Sequence, residues 1–128
     1  MQLEHAAIWC ADLEAMRAFY CRWLGAQSNA KYRNARGFES YFLCFDGGAR
    51  LELMQWAEVD ADPPSATRQR LGLAHLAFTL GSRQAVDSLT AALVAAGVVC
   101  VGQPRQTGDG YYESVILDPE HNRLELCA

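Results

Sequence analysis

Apolar residues recur at helical spacing in two stretches of the chain, and short alternating runs follow each of them. The first stretch carries Met16, Phe19, Tyr20, Trp23 and Leu24, and the second Val86, Leu89, Leu93 and Ala96, so each presents one apolar stripe to a core. Asp12 and Ser82 stand just ahead of these stripes, where a side-chain oxygen accepts from the free amides of a helix start. Gly25 and Gly97 follow them and supply the left-handed residue that ends a helix.

The alternating runs read as strands. ESYFLCF turns at Asp46-Gly47-Gly48 into ARLELMQ, a hairpin signal because these turn residues tolerate positive φ. Its counterpart is YYESVIL, then Asp118-Pro119-Glu120-His121-Asn122, then RLELCA. RLEL thus occurs twice, as Arg50-Leu51-Glu52-Leu53 and Arg123-Leu124-Glu125-Leu126, and aligning the copies also lays LAHLAF, around His75, on LEHAAI, around His5. The spacing between copies drifts by a few residues, as small loop insertions in a duplication produce. QSNAKY and VVCVGQ are weaker strand candidates. The pattern predicts an α+β protein of one domain, 1–128, built from two tandem modules, about 1–57 and 73–128. Each runs strand, helix, then two or three strands. The intervening 58–72, with Pro63-Pro64, reads as an exposed linker.

Strand alternation sorts the side chains. Leu51 and Leu53 meet the helix while Glu52 lies on the other face with Arg50 and Met54; Leu124, Leu126 and Glu125 repeat this. His5 shares a face with Leu3, Ala7 and Trp9, and His75 with Ala77 and Thr79. One His and one Glu per module, at matching positions and away from the helices, suit a borderline divalent ion such as zinc, nickel, cobalt or manganese. Taken singly, each is more simply a solvated or hydrogen-bonded strand residue, and spacing alone leaves a metal site and a copied scaffold equally open. His121 reads as a turn residue, and Arg105, in GQPRQTGDGYY, as a loop arginine that reaches either solvent or a substrate.

Composition narrows the partners. A net charge of −4 without a basic cluster argues against nucleic acid and for a small molecule. The 5 cysteines form no C-x-x-C pair and suit reduced thiols rather than a disulfide framework or structural zinc. MQLEHAAIW shows no secretory signal and no stretch long and apolar enough for a membrane span, so the expected location is the cytoplasm.

The opening H-x-A-I…D-L…A-x-x-F-Y…L-G, the G-L-x-H-L-A-F segment and the ending Y-x-x-x-x-x-D-P-x-x-N-R-L-E-L resemble the vicinal oxygen chelate superfamily, which includes glyoxalase I, extradiol dioxygenases, fosfomycin-modifying transferases, methylmalonyl-CoA epimerase and bleomycin-binding proteins. The likeness covers nearly the whole chain. It implies paired βαβββ modules whose sheets curve into a cup around a divalent metal, with helices outside. In glyoxalase I the ligands fall on the first and last strands of each module, which here are His5, Glu52, His75 and Glu125.

Four protein ligands leave about two positions on the ion. That suits a substrate chelating through two adjacent oxygens, with Glu125 or Glu52 moving the proton and Glu125 the stronger candidate for base. The resemblance therefore implies a glyoxalase-like lyase or isomerase. The alternatives are another metal-dependent reaction such as an epimerisation, or a non-catalytic, bleomycin-resistance-like protein that sequesters a small molecule. Glutathione-using glyoxalases commonly carry Arg four residues after the first His and Asn four after the first Glu; Trp9 and Trp56 stand there instead. Glutathione dependence is thus in doubt, and Trp9, Trp56, Tyr41 and Tyr111, with Arg105, are the expected pocket residues. A homodimer is expected, with the metal site formed either within one chain or across two.

Overall fold

The computed structural model describes residues 1–60, 67–69 and 71–128. The chain divides into two compact units, Met1–Asp62 and Pro63–Ala128. The expected Pro63-Pro64 connection lies outside the described residues.

The first unit contains β1 (His5–Trp9), α1 (Leu13–Trp23), β2 (Gln27–Ser28), β3 (Tyr32–Arg33), β4 (Glu39–Cys44) and β5 (Arg50–Gln55). The second contains β6 (Leu76–Thr79), α2 (Arg83–Ala95), β7 (Cys100–Gln106), β8 (Tyr112–Leu117) and β9 (Arg123–Cys127). Their sheets run β1-β5-β4-β2, with β3 also on β4, and β6-β9-β8-β7. These are the same order twice: the first and last strands of each unit lie side by side and parallel, and the others are antiparallel. A parallel pair needs a crossover, and the helix supplies it.

The helix ends follow from local chemistry. Asp12 accepts from the Ala15 amide at 2.9 Å and Ser82 from Ala85 at 3.2 Å, each satisfying an otherwise orphaned donor. Gly97, at φ 87°, turns the chain so that the Val98 amide reaches the Leu93 carbonyl at 3.0 Å, closing α2.

In the first unit Leu13, Met16 and Tyr20 of α1 are buried, as are Leu43, Leu51 and Leu53 of the sheet; in the second, Val86 and Leu93 of α2 are buried, as are Ile116, Leu124 and Leu126. Two expected core positions shift. Leu89 is only half-buried and Ala96 is exposed, while Thr90 is buried and bonds the Val86 carbonyl at 2.6 Å and the Ser114 hydroxyl at 2.7 Å. A polar residue enters this core because both of its hydroxyl bonds are made inside it.

The two hairpins turn differently. The β4–β5 turn uses Gly48 at φ 80°. Between β8 and β9 the buried Asp118 organises the turn: its Oδ1 accepts from the amides of Glu120 at 3.0 Å and Asn122 at 2.9 Å, and its Oδ2 from the Asn122 side chain at 2.8 Å. His121 takes φ 68° there.

Candidate metal-binding half-sites

Parallel pairing of first and last strands is what brings each histidine to a glutamate. In the first unit the register sets Ala7 against Glu52 and His5 against Arg50. Both acidic and imidazole side chains then project to the open face, away from α1, and His5 Nε2 lies 3.8 Å from Glu52 Oε2. In the second unit Ala77 opposes Glu125, and His75 Nε2 lies 3.2 Å from Glu125 Oε2. Two donors bound to one ion at ~2.1 Å each stand roughly 3.0–3.4 Å apart, so each pair has the chemistry and nearly the spacing of two metal ligands. Among the described residues no three His, Cys, Asp or Glu side chains gather as one set; each unit offers a pair.

The surroundings of the pairs differ. Glu4 accepts from His5 Nδ1 and also binds Arg50; these two partners hold its carboxyl below the ordinary glutamate value. With Glu4 on Nδ1, Nε2 is the ring nitrogen that faces Glu52 and is open to a metal. Phe42 meets the His5 ring edge-on, centroids 5.3 Å apart, and the Arg50 guanidinium lies over Phe42 at 4.3 Å. Trp9 stands farther along β1, edge-on to Phe38 at 6.1 Å. In the second unit the open face is more polar. Val115 and Glu113 oppose Glu125 and Cys127, and Arg105 binds Glu113 at 3.1 Å. Burial first, then the Glu125 charge, push the Cys127 thiol above its ordinary value.

Of the expected pocket residues, Trp9 has the strand parity of the open face and is well exposed; Trp56 follows the end of β5 and the exposed Tyr111 precedes β8. Tyr41 does not join them. On β4 it alternates with Phe42 and is buried with Leu43 on the α1 side, where its hydroxyl donates to Glu14 at 2.9 Å. That burial, and then the bond to Glu14, raise its pKa. The aromatic residue that reaches the open face is Phe42, which the β4–β5 register sets against Glu52. Arg105 lies on a strand, β7, rather than in a loop. Pro104 is tolerated there because β7 is the edge of its sheet and its pairing with β8 is bulged. Glu4, Phe42 and Glu113 are the neighbours that motif reading missed; alternation relative to RLEL would have found Phe42 and Glu113.

Comparison with known proteins agrees with this architecture. The Bacillus subtilis (strain 168) protein YwkD is 35% identical over 129 residues, covering 97% of this chain and 94% of its own. A glyoxylase/bleomycin resistance protein/dioxygenase domain from Frankia sp. EAN1pec superposes with a TM-score of 0.83 at 20% identity, covering 99% of this chain and 96% of that one. A lactoylglutathione lyase from Agrobacterium tumefaciens gives 0.70 at 23% identity, covering 98% and 91%. The family model for the Glyoxalase/Bleomycin resistance protein/Dioxygenase superfamily matches residues 2–126, and the chain belongs to that superfamily.

Proposed function

We propose that the protein is a metal-dependent lyase or isomerase in which His5, Glu52, His75 and Glu125 ligate one divalent ion, of zinc, nickel, cobalt or manganese. The observation that carries this is the duplicated pair: each unit sets an imidazole Nε2 beside a carboxylate oxygen, at 3.8 and 3.2 Å, on an open strand face. The second pair stands at the separation of two ligands on one ion and the first within a few tenths of an ångström of it.

The ion would supply Lewis-acid polarisation of two adjacent substrate oxygens. The chain's own part is to hold the ion and move a proton. Glu125 is the base, and Glu52 stays a ligand. On the first unit's open face Trp9 and Phe42 supply aromatic surface suited to an apolar substrate portion and poorly suited to the carboxylates of glutathione, which need paired donors when desolvated. A symmetric homodimer with two equivalent sites fits the need for two pairs per ion, and light scattering at micromolar concentration tests it.

The experiment is elemental analysis and calorimetric titration with the four ions, beside turnover of methylglyoxal with and without glutathione. About one ion per chain is expected, with affinity falling in acid as the ligands protonate. A chain that stays metal-free after incubation with all four refutes the proposal and leaves non-catalytic binding of a small molecule.

A further inference from the structure

The second unit carries a charged group that the proton-transfer chemistry does not use. Directly opposed strand residues project to the same face, and the registers Gly102 with Val115, Val115 with Glu125 and Ala77 with Glu125 define one row across the sheet. A Cβ built on Gly102 would meet Arg105 Nη1 at 3.2 Å and Val115 Cβ at 3.2 Å. The Arg105 guanidinium therefore lies back over Gly102, on the open face and in the row of Glu125, with only Val115 between.

The backbone is shaped for this. The β7–β8 register shifts on both sides of Gly102, between Cys100 and Gly102 and between Gly102 and Arg105. Each shift adds one residue on β7, and the second lets Arg105 oppose Glu113 while its head returns toward Gly102. Glu113 takes Nη2 at 3.1 Å and is itself mostly covered, whereas the Arg105 side chain is 52% exposed. A guanidinium has five donors in a planar fork, so this pair orients the head and leaves donors directed elsewhere. The first unit's open-face guanidinium is of another origin: it comes from Arg50 of the RLEL strand itself, lies over Phe42 at 4.3 Å and is bound by Glu4. At the corresponding place Asn29 spends its side chain on the Phe42 amide at 2.8 Å, and Phe42 fills the position of Val115 beside Glu52. The guanidinium is therefore not an inheritance of the repeat.

We propose that Arg105 is an anion-binding residue that selects substrates carrying a second, distal carboxylate: its head lies over Gly102, about two strand spacings, ~10 Å measured between backbones, from Glu125, and the reach of the ion at one end and of the guanidinium at the other leaves the span of a short diacid between them. The inference deepens the metal-dependent reading and rests on it for the chelating end alone. It names the substrate class as a small acid with two functional ends. Arg105 positions that acid by a charge-assisted, bidentate contact, Glu113 fixes the guanidinium, and Gly102 makes room for it.

Two probes test this. 2-Hydroxyglutarate and 2-hydroxypentanoate share an α-hydroxy acid end and differ in a distal carboxylate against a methyl. Calorimetry on the zinc-loaded protein should show the diacid bound roughly tenfold or more tightly, and the ratio should collapse in Arg105→Gln. It should also collapse in Gly102→Ala, which keeps the charge but displaces the head. A ratio near one in the parent, a ratio that survives Arg105→Gln, or no binding of either probe overturns the assignment. The Arg105 Nε–H resonance, followed by NMR without metal, separates this from failure of the metal site. If zinc does not bind and 2-hydroxyglutarate alone shifts that resonance, the anion site stands and the chelate falls. If zinc binds and neither acid shifts it, the anion site falls and the chelate stands.

Discussion

Asp118→Ala is expected to be among the most destabilising single changes in the second unit, although Asp118 lies in a turn. The buried carboxylate accepts from two backbone amides, of Glu120 and Asn122, and from the Asn122 side chain, at 2.8 to 3.0 Å. Hydrogen bonds to a charged group contribute ~1.5–3 kcal/mol each and are not additive. Glu120 and Asn122 are half-buried, so water recovers part of the loss, and the expected cost is ~2–4 kcal/mol. Asp118→Asn separates the parts. It keeps the oxygen that serves both backbone amides and sets an NH2 against the Asn122 NH2, for an expected ~1 kcal/mol. Urea unfolding followed by circular dichroism, with the slope unchanged, measures both. The reasoning is refuted if Asp118→Ala lies within ~0.5 kcal/mol of the parent, or if Asn is as damaging as Ala. The same bonds account physically for the D-P-x-x-N spacing, because an acceptor and a donor four residues apart close the turn that feeds β9 and sets the register of Glu125.

Glu125→Gln should keep most of the metal and lose on the order of a hundredfold in turnover, because the amide ligates without serving as a base; metal content beside rate decides, and near-normal turnover would remove Glu125 from that role. Glutathione should raise methylglyoxal conversion little, since Trp9 and Trp56 occupy the places of its expected partners; rapid saturable turnover of the hemithioacetal would count against this. Stability on the acid side should depend on Lys31, which binds Glu14 at 2.6 Å and Glu39 at 2.9 Å. Both carboxyls are held below the ordinary glutamate value of 4.5, chiefly by Lys31. A depressed carboxyl contributes stability above its unfolded pKa and loses it as pH falls through the folded one. The gap between the parent and Lys31→Met should therefore be full at neutral pH and close below 4.5; a gap that persists through acid would show that the lysine acts by packing alone.

Both helices, the two hairpins and the inward leucines of RLEL were legible because 3.6- and 2-residue periods are local. Tyr41 was misread because an aromatic on a strand announces its size and not its face; its parity became plain only when the register set Phe42 against Glu52. Thr90 escaped because a polar residue enters a core only through a partner, Ser114, that the helix period does not contain. The strand that carries Arg105 escaped for a related reason, since Pro104 and Gly102 speak against a central strand and are permitted here by an edge and its bulges. That His5 meets Glu52 rests on pairing the ends of a unit, which no local pattern encodes.

The placement of β1 also bears on the order in which the first unit assembles and opens. β4 and β5 join through a short turn, so the strand that holds Glu52 can form early from neighbouring residues, whereas β1 docks on β5 only after a loop of about 40 residues closes at the corresponding entropic cost. As an edge strand held by one neighbour, β1 is also the element best placed to detach while the hairpin persists. The imidazole and its carboxylate would then part by a local opening rather than by unfolding. Hydrogen exchange distinguishes the two: the amides of Ala6 to Trp9 should exchange faster, and with less denaturant dependence, than those of Leu51 to Leu53, and equal protection would mean that β1 leaves only when the whole unit does.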